Sequence, residues 1–321
     1  MPGKMPVSFC HGILGDQALS PLILVILCLL AGKLLNKVIA KSFASRPDAV
    51  ATVLNAVVIY VALPAMTITQ IHKLDVDASV LIVASGPWLN FLFAAIFWAF
   101  AGPALGWGRP VTGMMILATG LGNTSFLGFP LIEALLGKDA LPVAAVSDQM
   151  GSFLVVSTLG ILVANIYGSS RDGNILLRVL RFPPFMATVL GVMTRHMEFH
   201  PMISDGLSRL SSLLTPLALM SVGSRVSFEM ADLKKYRAQL MTGIGFKMLL
   251  VPGLTMFGLR IFEALMGSYQ NVMVIEAAMP GMITGYLIGA ERGLDAKLGA
   301  LLISVGIVVA MISVPLWARL L

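Results

Sequence analysis

The sequence predicts an all-α polytopic membrane protein, and three observations carry that prediction. Of 321 residues, 57% are hydrophobic and 12% are charged, about half the charged share of an ordinary soluble domain. The apolar residues come in runs of roughly 20, the length a helix needs to cross a bilayer. The 22 basic and 16 acidic side chains fall mostly between those runs. Ten runs with short connections use nearly the whole chain, so a large extramembrane enzyme is excluded. The net charge of +6 is explained by basic loops facing an anionic leaflet, with no nucleic-acid partner needed. Cys10 and Cys28 make no disulfide framework, and no cofactor or metal site is expected from the cysteines or the four histidines.

The first run, Leu19 to Ile39, is too long for a signal-peptide core and has no small-residue cleavage site after it, so it reads as a retained span. Nine further spans follow at 49–70, 78–101, 111–137, 139–167, 179–197, 206–224, 239–262, 269–290 and 296–318. With the N-terminus outside, 14 of the Lys and Arg residues fall on inner loops and 7 on the outer side, Lys247 lying within a span. That excess orients both termini outward. The four tryptophans (Trp88, Trp98, Trp107 and Trp317) lie towards span ends and read as interfacial anchors. Residues 229–237, of mixed charge, read as a solvated loop.

The most polar long connection, Gly168 to Asn174, lies near the middle of the chain. It divides a first five-helix repeat (1–167) from a second (179–321) through a cytoplasmic linker (168–178). Five spans on each side put the halves in opposite orientations, an inverted repeat. Gly137-Lys-Asp-Ala140 and Gly293-Leu-Asp-Ala296 occupy the same place in each half, 156 residues apart. Upstream of each is a stretch ill suited to a continuous helix: Thr119-Gly-Leu-Gly-Asn-Thr-Ser-Phe-Leu-Gly-Phe-Pro130 and Ala277-Ala-Met-Pro-Gly-Met-Ile-Thr-Gly285. Two interrupted spans at matching positions point to a transporter binding site.

Breaking a helix in lipid exposes peptide groups that cost several kcal/mol each. Gly122, Asn123 and Thr124 join backbone freedom to side chains that bond free peptide groups. Pro280 lacks an N–H, so the Glu276 carbonyl loses its helical donor, and Gly281 permits close backbone approach. Half-helix N-termini meeting at such breaks suit an anionic substrate. These five residues are the substrate-binding candidates, with Asn55 as a residue lining the opposite side of the pathway or making an interhelical hydrogen bond.

The run Gly122-Asn-Thr-Ser-Phe-Leu-Gly-Phe-Pro130 resembles the fourth-helix signature of the auxin efflux carrier family, which includes bacterial permeases and plant PIN-type auxin transporters. Leu63-Pro64-Ala65, Phe182-Pro-Pro-Phe185, Thr215-Pro-Leu-Ala-Leu-Met-Ser-Val-Gly223 and Glu276-Ala-Ala-Met-Pro280 agree in order. The resemblance implies ten transmembrane helices in a 5+5 inverted repeat, with broken, crossed helices 4 and 9. It also implies an elevator mechanism, in which helices 1, 2, 6 and 7 are the scaffold and helices 3–5 and 8–10 the transport unit. A homodimer through the scaffold is a further implication. The long central hydrophilic loop of many plant members is absent.

Ionisable groups inside spans are costly and ask for a reason. Asp148 lies nine residues past Asp139, about 13 Å along the helix, beside Ser147, Gln149 and Ser152. It is expected to take up a proton or cation, or to hold the crossing by hydrogen bonds. Glu276 sits one turn before Pro280 and is a candidate reporter of protonation or occupancy. Lys247, the single deep cation, is expected to neutralise Asp148 or Glu276, or to attract a substrate carboxylate. Glu133 reads as snorkelling. The function these features predict is secondary transport of a small organic anion; the resemblance implies a mono- or dicarboxylate of auxin-like or malate- and malonate-like chemistry and a bacterial plasma (inner) membrane. A sodium- or proton-coupled exchanger and a non-transporting sensor are the alternatives. No catalytic constellation is present in the sequence.

Overall fold

The computed structural model describes residues 16–43, 49–72, 78–169, 182–195, 197–226, 229–260 and 269–321. Most of the central linker, together with Cys10, His11 and His196, lies outside the described residues. The described chain is nearly all helical. In order the helices are α1 (Asp16–Phe43), α2 (49–71), α3 (Ala78–Ala104), α4 (Arg109–Gly120), α5 (Thr124–Leu136), α6 (Lys138–Tyr167) and α7 (Pro183–Met193). Then come α8 (Pro201–Ser212), α9 (Leu214–Arg225), α10 (Met230–Lys235), α11 (Arg237–Arg260), α12 (Tyr269–Ala277), α13 (Ile283–Glu291) and α14 (Ala296–Leu320). Among the described residues, five helical stretches are long and apolar enough to cross a membrane: Val50–Ile71, Ile82–Ala104, Lys138–Tyr167, Arg237–Arg260 and Ala296–Leu320. Large aliphatic side chains such as Ile23, Leu27, Leu30 and Leu34 of α1 are exposed in rows, as a lipid-facing surface requires.

The helices pack in two groups. In one, α1 runs along α9, and α2 packs against α7, α8 and α9. In the other, α3 packs on α4, α6 and α12, while α14 packs on α4, α11 and α13. The groups meet where α5 touches α1 and α9, and where α6 touches α2 and α7. The α1–α9 seam is closed by glycine. A methyl on Gly223 would lie 2.0 Å from the Leu29 carbonyl oxygen, and one on Gly32 would lie 1.9 Å from that of Met220.

Two sequence expectations are corrected, for Trp98 and for residues 229–237. Trp98 is no interfacial anchor: it is 1% exposed and donates its indole N–H to Thr119 Oγ1 at 2.8 Å. Trp317 is half-buried and donates to the Met248 carbonyl at 2.8 Å. Pro252, four residues after Met248, has no N–H to offer that carbonyl, so the indole replaces the missing donor. Trp317→Phe is therefore expected to cost about 1–3 kcal/mol, read as a lower melting temperature in detergent. Residues 229–237 contain the short helix α10 rather than only loop. Asp232 in its first turn and Lys234 and Lys235 in its last complement the helix dipole, and Asp232 also pairs with Lys297 at 3.4 Å.

Gly137 and Gly293, the matched glycines of the two halves, both adopt left-handed backbone, at φ 86° and 79°. Each ends the helix before it, and the Asp295 side chain then caps α14 by accepting the Leu298 N–H at 3.0 Å.

Candidate functional site

The two interrupted stretches of the sequence are interrupted in the structure, and they meet. Helix α4 stops at Gly120, α5 begins at Thr124, α12 stops at Ala277 and α13 begins at Ile283. Between them, extended backbone at Gly122 and Gly281 forms an isolated antiparallel bridge. Asn123 N–H donates to the Pro280 carbonyl at 2.8 Å, and Met282 N–H donates to the Leu121 carbonyl at 3.1 Å. The peptide groups freed by each break are thus partly spent on the other, which is how two gaps survive where unpaired groups are costly. The Glu276 carbonyl, which Pro280 cannot serve, accepts instead from Met279 N–H at 3.1 Å. Gly281 is pressed on α4, since a methyl there would lie 2.4 Å from the Ala118 carbonyl oxygen.

Asn123 caps α5: its Oδ1 accepts the Phe126 N–H at 3.3 Å. Its Nδ2 has no partner within the protein, although the residue is 2% exposed. Four half-helix ends converge here, so the positive dipole ends of α5 and α13 and the negative dipole ends of α4 and α12 meet at one crossing. Lys247 approaches from α11. A methyl on Gly122 would lie 3.2 Å from the Glu276 carbonyl oxygen and 3.5 Å from Lys247 Nζ, so the ammonium stands at the carbonyl ends of α4 and α12.

Behind the bridge is a cavity of about 20 Å³, lined among others by Asn90, Gly122, Thr124, Lys247, Thr255 and Glu276. A cavity of that size admits a water or two, and a dicarboxylate does not fit it as it stands. Asp148, 1% exposed, lies beside it on α6. It accepts hydrogen bonds from Thr124 Oγ1 at 2.5 Å, Ser125 Oγ at 2.5 Å and Gln149 Nε2 at 2.6 Å. Two of these donors belong to the first turn of α5, so Asp148 ties the break to α6.

The structure therefore brings together Gly122, Asn123, Thr124, Asp148, Lys247, Glu276, Pro280 and Gly281. Asn55 stands apart: it accepts a hydrogen bond from Ser221 of α9 and does not line the cavity. Glu133 accepts from Thr215 at 3.2 Å and pairs with Lys138 at 3.9 Å, so it touches both water and a neighbouring helix. Ser125, Asn90 and Thr255 were not singled out by sequence reasoning. The available signal was a polar residue close to proline in an otherwise apolar run, three residues after Pro87 for Asn90 and three after Pro252 for Thr255.

Local winding places three of these groups. Thr124–Gly128, Ser147–Ser152 and Phe246–Leu250 are π-helical turns that carry Thr124, Asp148 and Lys247. Such wide turns shift side chains out of the regular helical register and recur at functional sites.

An uncharacterized transporter of Methanothermobacter thermautotrophicus is 28% identical over 278 residues, covering 84% of this chain and 88% of that protein. An uncharacterized transporter of Methanocaldococcus jannaschii is 28% identical over 292 residues, covering 88% and 93%. The sequence model of the family described as membrane transport protein matches residues 17–318. With crossed, broken helices at the centre of a match that spans nearly its whole length, the chain belongs to the membrane transport protein family, the auxin efflux carriers.

Proposed function

We propose that the protein is a secondary transporter of a small organic anion, working by elevator-type alternating access, and no enzyme. The observation that carries this reading is the convergence of two helix N-termini, the unpaired Asn123 amide and the Lys247 ammonium on one crossing. Positive dipole ends and the unpaired Asn123 amide favour a carboxylate, and mono- and dicarboxylates of auxin-like or malate- and malonate-like chemistry are the class proposed. Gly122, Asn123, Thr124, Pro280 and Gly281 form the binding crossing. Asp148, Lys247 and Glu276 form its charged support, and Asn55 belongs to the α2–α9 side.

The packing into two groups supports a scaffold of spans one, two, six and seven and a moving unit of spans three to five and eight to ten. The left-handed glycines at matched positions support a ten-span inverted repeat, with halves at 1–167 and 179–321. The cavity is lined only by residues of the second helix group, so an anion bound there would travel with that group, as an elevator cycle requires. Residence in a bacterial plasma membrane with both termini outside, and a scaffold homodimer, complete the proposal. The exchanger reading rests on the same two buried acids, but Lys247 lines the cavity and repels a bare cation there.

The test is uptake of radiolabelled malonate, malate and indole-3-acetate into proteoliposomes. Asn123→Ala is expected to reduce uptake at least tenfold. Its stability should fall only by the worth of one helix cap, about 1 kcal/mol, read as a small drop in melting temperature. Wild-type uptake by that variant removes the fourth-span break from the site.

A further inference from the structure

The two buried carboxyl groups behind the crossing are not equivalent. Asp148 accepts three hydrogen bonds, and one of them comes from an amide nitrogen that can only donate. Donors aimed at a carboxyl group stabilise its ionised form. Glu276, on the last turn of α12, is 4% exposed, and neither of its oxygens has a hydrogen-bond partner within the protein. The Ser147 hydroxyl of α6 stands close to it but does not meet hydrogen-bonding geometry.

Two charged groups face Glu276: Lys247 from α11 and Asp148 from α6. Lys247 lines the same cavity yet makes no ion pair with Glu276. Of the other helices packed on α12, α3 carries no ionisable side chain. Glu133 of α5 is turned to Thr215, Lys297 of α14 to Asp232, and Arg319 lies exposed at the far end of α14.

We propose that Glu276, not Asp148, is the proton-binding group of this carrier. One lysine cannot balance two buried carboxylates, and an uncompensated charge in a water-poor interior is the most expensive group to keep there. A proton taken from water onto a Glu276 oxygen leaves Lys247 and Asp148 as one positive and one negative charge. An anion entering the crossing claims Lys247 as its counter-charge. Glu276 then has no cation to face and binds the proton more tightly, so anion and proton occupy the protein together. This coupling rests on the transport reading above, but the proton site itself does not.

Infrared difference spectroscopy of the purified full chain between acid and alkaline buffer tests the assignment without any transported ligand. The expected result is a C=O stretch of a buried protonated carboxyl that titrates in the wild-type protein, is absent in Glu276→Gln and persists in Asp148→Asn. Labelling wild-type protein with ¹³C-glutamate is expected to shift the band, and this measurement holds even where a variant fails to fold. A band that survives in Glu276→Gln, that ignores the glutamate label, or that never forms in the wild type overturns the proposal. If the band is present but no carboxylate is taken up into proteoliposomes, the substrate reading falls and the proton site stands.

Discussion

Gly281→Ala is expected to destabilise the protein by about 3 kcal/mol and to abolish transport. The added methyl would lie 2.4 Å from the Ala118 carbonyl oxygen, with the Ala118 carbonyl carbon and Cα also within 3.5 Å. All three are backbone atoms of α4, and none can rotate away as a side chain would. Relief requires α13 to back off from α4. That breaks the bridge between Gly122 and Gly281 and leaves the Pro280 carbonyl without the Asn123 N–H. Thermal unfolding in detergent and malonate uptake are the two measurements. Gly258→Ala is the control, because a methyl at this helical position meets nothing within 4 Å. It is expected to be neutral or slightly stabilising, since alanine is the better helix former by about 1 kcal/mol. Equal melting temperatures for the two variants would show that the crossing is not tightly closed at Gly281.

The second large effect is expected at the α1–α9 seam. Gly223→Ala places a methyl 2.0 Å from the Leu29 carbonyl oxygen, and Gly32→Ala places one 1.9 Å from the Met220 carbonyl oxygen. Each clash is with backbone, so either variant forces the helices apart, at a cost of about 3 kcal/mol. In a membrane no hydrophobic effect holds two helices together, and close packing through small residues supplies the attraction instead. Loss of that contact is expected to lower the yield of folded protein and the melting temperature in both single variants. The double variant should cost less than the sum of the two, because one separation relieves both clashes. Full additivity in melting measurements would mean that the glycines act at independent contacts.

These outcomes bear on function differently. Gly281 belongs to the crossing and its replacement strikes the site directly. Gly32 and Gly223 lie in the other helix group, and their replacement tests only what that group must hold. Residual uptake per folded molecule therefore separates the cases: it is expected to be lost in Gly281→Ala and retained in whatever fraction of Gly223→Ala folds.

The sequence by itself determined that the chain is a helical membrane protein and that two of its helices break at matching places. Length, hydropathy and the glycine- and proline-rich interruptions are local properties, and bilayer thickness turns them into spans without reference to any partner. The same local logic singled out Asp148, Lys247 and Glu276, because charge within an apolar run is conspicuous wherever it points. The tertiary structure alone decided how those pieces use one another. The two gaps pair with each other, Asp148 receives two of its three donors from α5 while Glu276 has no hydrogen-bond partner, and Asn55 turns to Ser221 instead of the cavity. Trp98, placed by sequence at the membrane surface, serves Thr119 inside the protein, and half-buried Trp317 donates to Met248. Hydrogen bonds between residues far apart in the chain depend on the depth, rotation and local winding of each helix. Three π-helical turns, which leave no mark in composition or periodicity, set that winding at Thr124, Asp148 and Lys247.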